Sequence, residues 1–184
     1  MNRAKKTLTE AVQFVPIITL AFTFIIKGGV DLEQAGPLFV VAAIMAIGIT
    51  SWLHILKVTQ NPILLASNIW LLLGALAFGV PIPFLATVFS QTNAALLFAS
   101  VLSVGIAQTA LKRPTGFIGM TNADPQTVRR LSVIMLGLSA VILIWAVLFR
   151  DNIRLGGGLP FIVLNISRRI LIKRAVSPKT TPEA

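Results

Sequence analysis

The chain of 184 residues has no cysteine, no tyrosine, a single histidine and only six acidic residues. Without cysteine there is no disulfide framework, no thiolate nucleophile and no thiolate-held zinc or iron–sulfur cluster. With His54 as the one histidine, no His-rich metal site can form either. The acidic residues Glu10, Asp31, Glu33, Asp124, Asp151 and Glu183 all fall in or beside the connections between apolar runs. A Ser/His/acid triad around His54 therefore lacks its carboxylate. Gly156, Gly157 and Gly158 lack the Gly-Lys-Ser/Thr that holds nucleotide phosphates, and read instead as the turn that starts a helix. The expectation is a non-enzymatic protein with no cofactor and no metal.

What the chain has in excess is apolar residues, 55% against 12% charged, which is too apolar for a soluble domain of this length. The apolar residues fall into six runs, at 11–26, 37–56, 62–78, 93–111, 131–149 and 155–172. A bilayer core about 30 Å thick needs roughly 20 such residues per helical crossing. The runs lack the two-residue alternation of barrel strands, and only helices or a closed barrel satisfy the backbone in lipid. The predicted fold is all-α: one transmembrane domain of six helices with short loops and polar tails at 1–10 and 173–184. The first run follows Arg3, Lys5 and Lys6 like a signal peptide, but no small-x-small cleavage site follows it, so it reads as a retained helix bent near Pro16.

The net charge of +10 is not gathered into one basic, aromatic-interleaved surface, so nucleic acid is not the expected partner. The basic residues sit at the ends of the runs. With six crossings, Arg3, Lys5, Lys6, Lys57, Lys112, Arg113, Arg129, Arg130, Arg168, Arg169, Lys173, Arg174 and Lys179 share one side, and Lys27, Arg150 and Arg154 the other. The excess marks the cytoplasmic face and puts both termini there.

Polar groups within or near the spans are few: His54, Asn68, Gln108 and Asn165, all in the cytoplasmic half. Facing inward, they would form a polar pocket ringed by Arg113, Arg168 and Arg169 and suited to an anionic headgroup. Facing the interface, they are packing glue or reach water. Arg113, Arg129, Arg130, Arg168 and Arg169 are the expected contacts to anionic lipid of the cytoplasmic leaflet or to partner proteins. Trp52 and Trp145 fit the interfacial belt, whereas Trp70 lies deeper and needs a partner for its indole N–H. Small residues four apart, Ala42 with Ala46, Ala75 with Gly79, and Ala99, Ser103 and Ala107, suggest close helix packing, the last stripe being the candidate for a central position.

Two connections stand out. The stretch 79–92 carries no charge and includes Val80-Pro81-Ile82-Pro83-Phe84, the composition of a segment lying on the interface or re-entering the membrane. The longest cytoplasmic connection, 112–130, has Pro114, Gly116, Gly119 and Asp124-Pro125 as turn formers, and is where a partner or headgroup would be met.

Phe14-Val15-Pro16-Ile17 in the first run, Trp52 near the end of the second, Leu71-Leu72-Leu73-Gly74-Ala75-Leu76-Ala77-Phe78 in the third, Lys112-Arg113-Pro114-Thr115-Gly116-Phe117-Ile118-Gly119-Met120 after the fourth and Thr127-Val128-Arg129-Arg130-Leu131 before the fifth together resemble the intracellular septation protein A family, over about residues 11–172. The resemblance implies a bacterial inner-membrane protein serving cell-envelope maintenance or division by binding other membrane proteins. Two alternatives are a small transporter or channel subunit, for which no internal similarity between 11–78 and 93–172 is visible, and an accessory subunit of a larger energy-converting complex.

Overall fold

The computed structural model describes residues 9, 11–26, 35–58, 60–80, 82–92, 94–111, 115–120, 123–150, 152 and 154–176, and among these all regular structure is helical. In chain order the helices are α1 (Val15–Ile26), α2 (Gly36–Ile55), α3 (Pro62–Gly74), α4 (Pro83–Thr92), α5 (Ala95–Ala110), α6 (Pro125–Leu148) and α7 (Leu159–Val176). π-helical turns prolong α3 over Ala75–Gly79 and lead into α7 over Arg154–Gly158, the glycine run read as a helix-start turn.

Four of these helices are long and apolar enough to cross a membrane: Gly36–Ile55, Pro62–Gly79, Pro125–Leu148 and Arg154–Ala175. Counted as one broken span, α4 and α5 make a fifth. α1, at 12 residues, rises about 18 Å, well short of the hydrocarbon thickness, which is why its apolar run does not by itself make a sixth. Its chain breaks at Gln13 and Phe14, immediately before Pro16, where a bend was expected.

Most helix starts are written in the sequence. The Asn61 side chain accepts a 3.1 Å hydrogen bond from the Ile63 N–H, and Pro62 opens α3. Asp124 does the same for α6, its Oδ2 accepting from Thr127 N at 2.9 Å, with Pro125 next. Hydroxyls inside the spans turn back on their own helix, Ser67 to Ile63 O and Ser139 to Met135 O, so they satisfy themselves without needing water.

Packing runs in an arc. α1 lies on α2 and α3, α2 on α3, α3 on α5, α5 on α6, and α6 on α7. At one end of the bundle Phe39, Trp70, Phe78 and Phe89 form a cluster with ring centroids 5.3 to 5.9 Å apart. We call this the aromatic end. Trp70 Nε1 is buried there and finds no acceptor among the described residues, so the partner expected for it is not seen. α4 belongs to this end, turned 101° from α5, with Phe89 buried under it and Phe84, Thr87, Ser90 and Gln91 exposed. A turn of that size fits either a broken span or a re-entrant segment.

The small-residue expectations divide. Ala42 and Ala46 are fully buried, and a Cβ on Gly79 would stand 2.3 Å from Val40, so the first two pairs do serve close packing. The stripe on α5 does not take a central position, since Ser103 and Ala107 are exposed. The inward face of α5 is instead Phe98, Val101 and Gly105, because burying the bulky residues against α3 and α6 turns the small ones outward.

The tightest backbone approach at the aromatic end is at Gly36, where a Cβ would lie 2.5 Å from the Phe78 carbonyl oxygen, whereas Gly48 on the same helix has nothing within 4 Å. Gly36→Ala should lose about 1–3 kcal/mol of stability, because backbone cannot yield as a side chain can. Gly48→Ala should be neutral or gain up to about 1 kcal/mol from helix propensity. Thermal unfolding of the two variants in the same detergent tests this; equal midpoints would refute the α2–α3 contact.

Candidate functional site at the basic end

The opposite end of the bundle gathers most of the polar side chains. It is built from the turn before α1, the α2–α3 connection, the segment Thr115–Met120 and α7 from Asn165 onward.

Thr115–Met120 belongs to the connection where a partner or headgroup is expected to be met, yet Phe117 and Ile118 are completely buried and Met120 is 5% exposed. The segment folds back between the helices as a plug. Gly116 (φ +54°) and Gly119 (φ +69°) make the reversal possible, both in the left-handed region that glycine adopts without penalty. They also allow close approach: a Cβ on Gly116 would lie 2.4 Å from Ser132 Oγ, and one on Gly119 2.8 Å from the Arg168 guanidinium. The Phe117 ring packs on Gly105 of α5. Two side chains hold the plug's backbone. Arg168 Nε donates to the Ile118 carbonyl at 2.9 Å, and Ser132 Oγ accepts from the Ile118 N–H at 3.3 Å. Burying an apolar Phe-Ile pair while pairing both backbone groups of Ile118 satisfies both demands of a low-dielectric interior.

Beside the plug runs a line of side-chain amides. Gln13, buried in the turn before α1, accepts from the Asn61 backbone N–H at 2.9 Å, and its amide is directed to Thr9 O at 3.4 Å. Asn61 Nδ2 in turn approaches Asn165 Oδ1 at 3.4 Å, and Asn165 Nδ2 donates to Phe161 O at 2.9 Å. Three parts of the chain far apart in sequence, before α1, before α3 and within α7, are thus joined through amides.

Of the expected polar pocket, the structure brings Asn165 into this line and pairs Asn68 Nδ2 with Thr50 Oγ1 at 3.0 Å on the α2–α3 contact. His54 is exposed and Gln108 half-buried, and among the described residues none of the four is hydrogen-bonded to another. Gln13 and Asn61 were missed. The Asn-Pro pair at 61–62 was a helix-start signal that could have found Asn61, whereas nothing local marked Gln13. Of the expected headgroup contacts, Arg129, Arg130 and Arg169 are exposed, Arg168 is half-buried and turned to the plug, and Arg113 lies outside the described residues. Among the described residues the only carboxylate is that of Asp124, used in capping α6, and no three His, Asp or Glu side chains lie together.

Two hollows open on this end. One of about 260 Å³, between α6 and α7, has Arg130 and Arg174 on its rim. The other, about 410 Å³, separates α1 from α7 and has Arg169 and Asn165 among otherwise apolar walls. Trp52 and Trp145 are 45% and 42% exposed on α2 and α6, the latter donating to Leu155 O at 3.0 Å, as suits interfacial indoles.

Compared with models of protein families, with characterised proteins and with solved structures, the chain matches none.

Arg168→Leu should release the plug. A hydrogen bond from a charged donor is worth about 1.5–3 kcal/mol, and amide exchange at Phe117–Met120 should quicken by at least tenfold. Asn165→Leu should leave the plug protected while loosening the junction of α1 with α7. Unchanged exchange at Ile118 in the Arg168 variant would show that the guanidinium does not hold the segment.

Proposed function

We propose that the chain is a non-enzymatic, six-spanning protein of the bacterial inner membrane, with both termini cytoplasmic, that binds anionic lipid and other membrane proteins through its basic end in maintaining or dividing the cell envelope. One observation carries the lipid part of this reading: Lys57, Arg129, Arg130, Arg168, Arg169, Lys173 and Arg174 border one end of the bundle, with Asp124 as the sole described carboxylate, whereas the described cations of the other end are Arg150 and Arg154. Such an end attracts the anionic leaflet, each exposed cation near the surface contributing about 1 kcal/mol. The asymmetry is also the sequence pattern that sets orientation. The sixth crossing in this reading is α1, whose short helix packs on two helices that are long enough to span. The envelope role rests on the resemblance to the septation protein A family.

Native mass spectrometry in phosphatidylglycerol tests the lipid part. Arg129→Gln with Arg130→Gln should weaken the retention of the more readily lost lipid by roughly thirtyfold, at about 1 kcal/mol for each charge near the surface. Retention equal to that of the unaltered chain would mean these side chains serve orientation only. Crosslinking in whole membranes tests the partner, with division or wall-synthesis proteins expected and respiratory subunits counting against the reading. A periplasm-specific reporter on either terminus should stay dark.

A further inference from the structure

The cleft between α1 and α7 has the polarity of a phospholipid. Its walls are Phe14, Ile17, Ile18 and Ala21 on one side and Phe161, Ile162 and Ile166 on the other. Along α7 it runs from Gly158 to Arg169, about 16 Å at the helical rise. Its polar groups, Asn165 and Arg169, stand together at the basic end, one turn apart on α7. A volume of about 410 Å³ suits a single hydrocarbon chain and is too narrow for a helix, which with its side chains is about 10 Å across. The rims Ile18, Ile162 and Ile166 are more than half exposed, so the trench opens sideways to the bilayer.

From this we propose a defined site for one anionic phospholipid, an acyl chain lying in the α1–α7 cleft and its phosphate against Arg169. Charge complementarity chooses the headgroup. The Arg169 guanidinium is exposed, and the one carboxylate among the described residues is occupied in capping α6, so a phosphate there meets a cation. Asn165 is half-spent: one amide hydrogen goes to Phe161 O, and the second is available to a phosphate or glycerol oxygen. The cleft keeps its width because α1 is held by α2 and α3 and α7 by α6, while the Gln13–Asn61–Asn165 amides tie the two walls at one end only. The site deepens the lipid-binding reading above and rests on it, but commits to one place and to a 1:1 ratio.

The test uses phosphatidylglycerol carrying a photoactivatable diazirine near the acyl terminus, added to the full chain in mixed micelles, with labelled peptides mapped by mass spectrometry. The label is expected on the segments 14–21 and 158–166. Native mass spectrometry should show one tightly retained phosphatidylglycerol, and phosphatidylethanolamine of the same chains retained less. Arg169→Gln should weaken retention about fivefold, and Ala21→Phe, which fills the trench while leaving every arginine in place, at least as much. Arg129→Gln with Arg130→Gln should leave this one lipid bound. Label spread evenly over exposed α6 positions such as Val133 and Val141, or Ala21→Phe without effect, would overturn the site while leaving general attraction to anionic lipid standing. Loss of phosphatidylglycerol selectivity in the unaltered chain would sink both. Protein–protein crosslinks at Ile18 and Ile162, with no lipid label, would show a second copy or a partner helix over the cleft and refute the lipid.

Discussion

The hydrogen bond from Arg168 to the Ile118 carbonyl is what the basic end of the bundle depends on. In lipid, two apolar helices gain nothing from hiding their surfaces against each other, because the surrounding tails are as apolar as they are. α7 illustrates the difficulty: α6 is the helix it packs on most, and only 22% of its most apolar stretch is buried. Shape contact of that extent does not fix a helix. A charged donor on a buried carbonyl, with an amide pair one turn away between Asn61 and Asn165, supplies direction that dispersion lacks. Through the plug the same contact reaches α5 by Phe117 against Gly105 and α6 by Ile118 against Ser132. One guanidinium therefore sets the position of α7 relative to both halves of the bundle.

The two ends of the molecule solve the packing problem differently. At the aromatic end, Phe39, Trp70, Phe78 and Phe89 interlock, and Gly36 and Gly79 bring α2 and the end of α3 into backbone contact. That arrangement is van der Waals packing, which small residues make strong in lipid by allowing close approach. At the basic end the contacts are polar and directional. The difference suits a protein whose one end only needs to be stable while the other presents cations: a rigid polar lattice holds Arg168 inward, and its neighbour Arg169, about 100° further round the same helix, is left to face outward.

How far this was legible in the sequence depends on whether the signal was local. The helical nature of the apolar runs, though not six full crossings, Asp124-Pro125 as a helix start and Gly116 and Gly119 as turn formers are local signals that the structure bears out. The burial of Phe117 and Ile118 is not local. A hydrophobic pair flanked by glycines in a connection reads equally as an exposed docking loop, and what decides is the space between α3, α5 and α6, which no short window records. The stripe Ala99, Ser103 and Ala107 fails for a related reason: spacing tells that residues share a face, but the face that turns inward is chosen by its competitors Phe98 and Val101. Asn165 was visible as a polar residue one turn from two arginines, yet its partner Asn61 and, through Asn61, Gln13 are 104 and 152 residues away along the chain.

The break before α1 follows from the same reasoning. An uninterrupted helix from residue 11 would carry Gln13 on its surface in a fixed rotation, whereas the turn at Gln13 and Phe14, made tolerable by Pro16 at the new helix start, frees Gln13 to receive the Asn61 N–H. That N–H precedes α3 and, unpaired in this partly buried place, would cost about 1–3 kcal/mol. Shortening α1 to 12 residues is thus coupled to capping α3. Among the described side chains the wall on this side of the cleft is Phe14, Ile17, Ile18 and Ala21, beginning at the residue after Gln13. The polar junction that closes one end of the cleft and the place where the wall beside it begins have a common origin in where the chain could satisfy one amide.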